Sequence, residues 1–207
     1  MNLSISHLYT YSKCSHKNIG ILKNFCQDFS IYNLREGVNI LQGAINGNGW
    51  ALTNCLCNSK CKINDVEGDF YVNNELESLR NIRKCSYYIC QSELNYLNKF
   101  IFKKAKKIIH SGNDDIYNFL LQNGVLERDI DNLGNWRYII SFYIGYQKGR
   151  KIFGFPWLSA SQIEIQSERL QYMHNFAVIN QLCIILPCEY NSNIHLKWTG
   201  YHLFDNV

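Results

Sequence analysis

The sequence predicts an α/β fold: a mostly parallel sheet, an N-terminal antiparallel β layer beside it, and a small helical subdomain. Three observations carry that expectation. The first half of the chain is a succession of strand-like segments, whereas the second half alternates strands with helices, the order that builds parallel sheets. The runs KIFGFPWLS (151–159) and CIILP (183–187) are apolar without alternation, as strands covered on both faces are. Between 93 and 126 the apolar spacing switches to a helical period. At 207 residues the chain fits one domain with a real core, spanning 1–207 with 93–135 as a helical insert.

Taken in order, residues 2–8 (NLSISHL) alternate apolar and polar at period two and read as a half-buried strand, with Tyr9 and Tyr11 just beyond it. A second strand-like run covers 19–32, and the turn Arg35-Glu36-Gly37 leads into a short apolar strand at 38–41. A helix opens at Ala51 and ends near Lys60. GDFYVNN (68–74) reads as a strand that turns at its two asparagines, because asparagine tolerates the left-handed backbone of tight turns. Residues 85–90 form a compact apolar and aromatic strand closed by Gln91. Leu94, Leu97, Phe100 and Ile101, then Ile116, Phe119 and Leu120, mark the buried faces of two short helices punctuated by Gly112 and Gly124. Another helix fits 136–146, with Ile139, Ile140, Tyr143 and Ile144 on one side. A helix over 164–176 separates the two apolar strands, and HLKWTGYHLF (195–204) has the period-two character of an edge hairpin.

Composition narrows the function classes. A hydrophobic fraction of 46% with 14% aromatics excludes a disordered chain. The net charge of +4 comes partly from Lys103, Lys104, Lys106 and Lys107, whose helical spacing describes a solvated face, so no nucleic-acid partner is expected. No run of about eighteen apolar residues offers a membrane span, and MNLSISHLY lacks the basic region and apolar core of a signal peptide. Nine cysteines at irregular intervals point to a reducing, cytoplasmic setting. Cys55, Cys57 and Cys61 read as small residues on and after a buried helix, since no second Cys/His pair stands nearby at zinc spacing. His195 and His202 read as satisfied or surface histidines.

The other pieces are arranged around EGVNILQGAINGNGWALT (36–53). A strand runs into a glycine and asparagine turn, and a helix opens behind it, which is the layout of a phosphate-binding loop. Successive backbone N–H groups and the helix N-terminus form an anion cradle there, and glycine lets the main chain come close. A working loop ends in Gly-Lys-Ser/Thr, where the lysine neutralises the outer phosphates and the hydroxyl ligates magnesium. Here Gly49 is followed by Trp50, Ala51 and Leu52.

In order and spacing, these pieces resemble the ATP-binding (nucleotide-binding) domain of an ABC transporter, a P-loop NTPase-like fold, over nearly the whole chain. ISHLYTYSK resembles the opening strand whose aromatic residue stacks on adenine, which implies Tyr11, with Tyr9 as the alternative. REGVNILQGAINGNGWALTNCL is similar to the Walker A segment and its helix, so the resemblance implies nucleotide contacts from Asn46, Gly47, Asn48, Gly49 and Trp50. GDFYVNN is similar to the hairpin that follows. CSYYICQ resembles the strand ending in the Q-loop glutamine, here Gln91, which touches magnesium and senses the transmembrane partner. Residues 93–135 correspond to the helical subdomain, KIFGFPWLSAS to the Walker B strand and D-loop, and CIILPCE to the strand before the switch histidine.

The departures bear on function. With Gly49 as the last loop glycine, Trp50 takes the lysine position and Ala51 the hydroxyl position; counting from Gly43 places Gly49 and Trp50 there instead. The signature segment is reduced to Leu133-Gly134-Asn135-Trp136-Arg137, the acidic pair falls within Phe155-Pro156-Trp157, and the switch histidine falls on Pro187 or Cys188. Single charged parts of such sites are worth several powers of ten in rate, so their joint loss implies a pseudo-ATPase: ATP as a possible ligand, Mg2+ in doubt for want of a carboxylate at the metal position, and no catalytic residue. The resemblance implies an integral-membrane transporter subunit as partner, a homo- or hetero-dimer with another ABC domain, and a place at the inner face of the membrane through that partner. Tyr96, Leu97 and Phe100 are candidate contacts, with core packing as their other reading. The alternatives are a stand-alone regulatory or binding module without nucleotide, and an active ATPase with relocated acids such as Asp114, Asp115, Glu127, Asp129 and Asp131.

Overall fold

The computed structural model describes residues 1–10, 32–43, 48–57, 66–89, 115–127, 133–190, 196 and 198–204. In chain order its elements begin with β1 (Leu3–Thr10), β2 (Tyr32–Leu34), β3 (Gly37–Gln42), α1 (Asn48–Cys57), β4 (Val66–Val72), β5 (Glu75–Glu77), α2 (Leu79–Lys84) and β6 (Ser86–Tyr88). They continue with α3 (Asp115–Gln122), α4 (Arg137–Gln147), β7 (Ile152–Gly154), α5 (Ala160–Ile179), β8 (Cys183–Cys188) and β9 (His202–Phe204).

The N-terminal strands make an antiparallel sheet in the order β2-β1-β4-β5. Leu3 and Ile5 of β1 are fully buried while Ser4 between them is not, the outcome of period-two alternation on a sheet with one covered face. β4 and β5 join through Asn73 and Asn74, both at positive φ (52° and 69°), which is the pair of left-handed residues a tight hairpin requires. The second sheet has the order β6-β7-β8-β3-β9, and every neighbouring pair in it is parallel. All six residues of β3 and all six of β8 are buried, including Asn39 and Gln42 of β3.

Two cores follow from this layering. One face of the parallel sheet, through Leu41, Ile152, Cys183 and Ile185, packs with α1, α2 and the inner side of the antiparallel sheet. The other face, through Val38, Ile40, Phe153, Ile184 and Leu186, packs under α3, α4 and α5. The α/β class, the parallel sheet and the N-terminal antiparallel layer are therefore as the sequence predicts. No helix among the described residues is long and apolar enough to cross a membrane.

Some elements differ from expectation. The apolar run at 151–159 is a strand only over Ile152–Gly154, because Pro156 has no N–H to extend a ladder; the chain regains the sheet at Leu158 as an isolated bridge to Cys188. The C-terminal segment supplies an edge strand, β9, which runs parallel to β3, and the described residues 196 and 198–201 before it form no strand. α5 runs well past the predicted 164–176, since a capping box between Ser159 and Gln162 starts it earlier. α2 was not foreseen. Of the expected strand at 19–32 only Tyr32 is described, and of the helices expected over 93–126 only the part from Asp115 onward.

Candidate functional site

The carboxyl ends of β3, β8 and β7 meet at one edge of the parallel sheet. The Gly43 N–H donates to the Cys188 carbonyl at 2.8 Å, which fixes the exit of β3 beside the end of β8. Beyond β7 the chain is laid over the same place: the Phe155 N–H donates to Ile185 O at 2.8 Å, the Leu158 N–H to Pro187 O at 3.0 Å, and the Glu189 N–H to Leu158 O at 3.0 Å. Between these anchors the indole Nε1–H of Trp157 donates to the Gly43 carbonyl at 3.2 Å. The first residue after β3 is thus held by β8 on its nitrogen and by the β7 exit on its oxygen.

α1 begins at Asn48, and every residue from Gly49 to Cys57 is buried. Its closeness to the sheet explains two glycines. A Cβ on Gly49 would lie 2.7 Å from Cβ of Leu41, and one on Gly154 would lie 2.5 Å from Cγ2 of Thr53 and 2.8 Å from Sγ of Cys57. A helix enclosed on every side must satisfy its own polar side chains, and the Thr53 hydroxyl donates to Gly49 O at 2.8 Å while the Asn54 amide donates to Trp50 O at 2.9 Å. Trp50, in the first turn, is only 2% exposed.

Burial also decides the state of the nearby thiols. It pushes the Cys57 thiol up to about 12, outweighing the Ser86 hydrogen bond and the Arg83 charge that pull it down. Cys188 is likewise pushed up to about 12, by burial first and by the Glu189 carboxylate second. Burial thus favours the neutral thiol at both positions. The Glu189 carboxylate accepts the Ala160 N–H at 3.1 Å, at the start of α5.

The signature remnant lies immediately before a helix. Gly134–Trp136 is a single 3-10 turn and Arg137 opens α4. Trp136 stands 4.3 Å from the Arg169 guanidinium and 5.5 Å from the Phe119 ring, and Leu133 beneath is buried. Of the residues expected to bind nucleotide, Gly49 and Trp50 occupy the first turn of α1, and Asn48 is its first residue. Tyr11, Asn46, Gly47 and Gln91 lie outside the described residues, as do Tyr96, Leu97, Phe100, Cys61 and His195. Trp157 is the contributor that sequence reasoning missed. Its place in the segment where the resemblance sets the acidic pair was legible, whereas the direction of its N–H was not.

At the level of sequence, no protein-family model and no curated protein matches the chain. Among solved structures it is similar to a protein of Pyrococcus furiosus assigned as the ATP-binding protein of an ABC transporter, with a TM-score of 0.51 over 98% of this chain and 97% of that one at 10% identity. A second, the ATP-binding subunit of an ABC transporter, aligns with a TM-score of 0.52 over 91% of this chain and 80% of that one at 13% identity. The fold is that of an ABC transporter ATP-binding protein. At such identities the likeness is one of architecture, so the chemistry of this ABC-type fold is read from its own residues.

Magnesium, which phosphoryl transfer on this fold implies, demands a near-octahedral set of oxygen ligands. The described residues do not fit it. The resemblance sets Ala51, or Trp50 in the other frame, at the hydroxyl position and Phe155, Pro156 and Trp157 at the acidic positions, and none of these side chains carries an oxygen. The Gly43 carbonyl accepts the Trp157 indole N–H, and one oxygen of the Glu189 carboxylate accepts the Ala160 N–H. Among the described residues no group of three His, Cys, Asp or Glu side chains could hold a metal ion.

Proposed function

We propose that the chain is an ABC transporter ATP-binding-type subunit that has lost hydrolysis, a pseudo-ATPase coupling to an integral-membrane partner or to an active ATPase half. The single observation that carries this reading is Trp50: an apolar ring, 2% exposed, stands in the first turn of the helix where the fold's chemistry needs a lysine. In this reading 1–207 is one domain with 93–135 as its helical insert. ATP is held without turnover by the backbone over Asn46, Gly47, Asn48 and Gly49, with Trp50 beside it, Tyr11 stacked on adenine, and Gln91 facing the partner. The subunit works as a homo- or hetero-dimer with another ABC domain, in the cytoplasm and peripheral to the membrane through its partner.

A steady-state ATPase assay with Mg2+ at high protein concentration tests the loss of hydrolysis. No turnover above buffer is expected, and robust turnover by pure protein overturns it. Nucleotide binding is read separately as saturable quenching of tryptophan fluorescence, expected in the wild type and weakened at least about tenfold in Tyr11→Ala, which removes a stacking platform. A stand-alone module without nucleotide is the second reading, favoured by the Trp157 bond that closes the β3 exit. Failure of wild-type protein to quench with ATP decides for it.

A further inference from the structure

We infer that Trp157 is the positioning residue of the β3 exit, doing through its indole N–H what a bridging cation does in a metal-dependent site, so that this end of the sheet works without a divalent ion. The inference deepens the proposed reading, and its first test stands apart from it. β7 and β3 are not neighbours, because β8 lies between them. A link between their ends must therefore come from a bound ion or from a side chain long enough to cross β8. Trp157 is that side chain, reaching Gly43 O at 3.2 Å. The ring is held from both sides, since Phe155 and Leu158 are bonded to β8 and the capping box of α5 begins at Ser159. It is preset rather than recruited by a ligand.

The substitution also changes which ligands the edge accepts. An indole N–H only donates, so it cannot itself coordinate a cation. Glu189, the carboxylate at the end of β8, is turned to the Ala160 N–H at 3.1 Å.

Hydrogen exchange on the full chain tests this first, following the peptide that contains Gly43. Trp157→Phe is expected to speed exchange of the Gly43 amide about fivefold, the size of one lost hydrogen bond, while Trp136→Phe leaves it unchanged. In the wild type, magnesium chloride against EDTA is expected to change neither that exchange nor the melting temperature, a comparison that holds even if the variant fails to fold. Equal exchange in Trp157→Phe, or protection of the peptide by magnesium alone, overturns the inference. The second arm measures ATP affinity with magnesium and with EDTA. Values within about twofold support metal independence, and affinity at least about tenfold tighter with magnesium overturns it. Absence of ATP binding in both buffers sinks the nucleotide part of the proposed function, and the Gly43 amide still decides the role of Trp157.

Discussion

Gly49 shows how a residue that reads as part of a phosphate cradle has a packing reason of its own. With Leu41 Cβ 2.7 Å from where its side chain would start, even one methyl group forces α1 away from β3. Gly49→Ala is expected to cost about 1–3 kcal/mol, the usual range for overpacking a core, seen as a lower urea midpoint with unchanged slope. His174 is a second case. Its Nδ1 accepts the Val38 N–H at 3.1 Å at the start of β3, so the neutral ring is the one that fits. Burial, and then the nearby His202, lower its pKa below the ordinary histidine value. A lowered folded pKa means that the stabilisation is complete above the unfolded value of about 6.5 and is lost as the pH falls through the folded value. The melting temperature is therefore expected to drop more steeply on acidification below about pH 6.5 in the wild type than in His174→Gln. Parallel curves for the two proteins would show that the Val38 bond does not titrate.

Among the elements, α5 depends most visibly on a local signal. The Ser159 hydroxyl accepts the Gln162 N–H, and the Gln162 side chain accepts the Ser159 N–H at 2.9 Å. Ser159→Ala is expected to cost about 0.5–2 kcal/mol by chemical denaturation, and to loosen the Trp157 segment that ends at this cap. The same elements show what was legible in the sequence. β8 was, because burial on both faces leaves an almost wholly apolar run, and β3 was through Val38, Ile40 and Leu41. β7 was overread for that very reason: Phe155 and Leu158 are as buried as strand residues, but Pro156 between them ends the ladder. α2 went unread because six residues with only Leu79 and Ile82 buried show no period; the usable signal was Ser78, whose hydroxyl accepts the Asn81 N–H as an N-cap. At the site, the residue identities at 50, 51 and 155–157 were plain from the sequence. The bond from Trp157 to Gly43 was not, since it depends on a contact across 114 positions of sequence.

Taken whole, the molecule has two cores divided by one sheet, and β3, β7 and β8 contribute to both. Chains of this length often unfold through intermediates, but neither core can come apart without exposing a face of strands that the other needs. We expect one cooperative transition, with helix content by far-UV circular dichroism and tryptophan environment by fluorescence coinciding in urea. Trp50 reports from beside one core and Trp198 from within the other, so separate midpoints in single-tryptophan variants would refute shared cooperativity.

The enclosure of α1 bears on how this fold could change. In a phosphate-binding loop the lysine needs room and water at the first turn, whereas here the turn is walled by Leu41 and the helix behind it has no solvent face. Trp50→Lys would set an ammonium group in that space with no described carboxylate to meet it, at a desolvation cost of several kcal/mol, comparable to a large share of a domain's total stability. A stepwise route back to a charged loop therefore runs through a poorly folded form, and the enclosed helix acts as a ratchet. Engineering that seeks a cation at position 50 has to open space around the first turn of α1 before it adds charge.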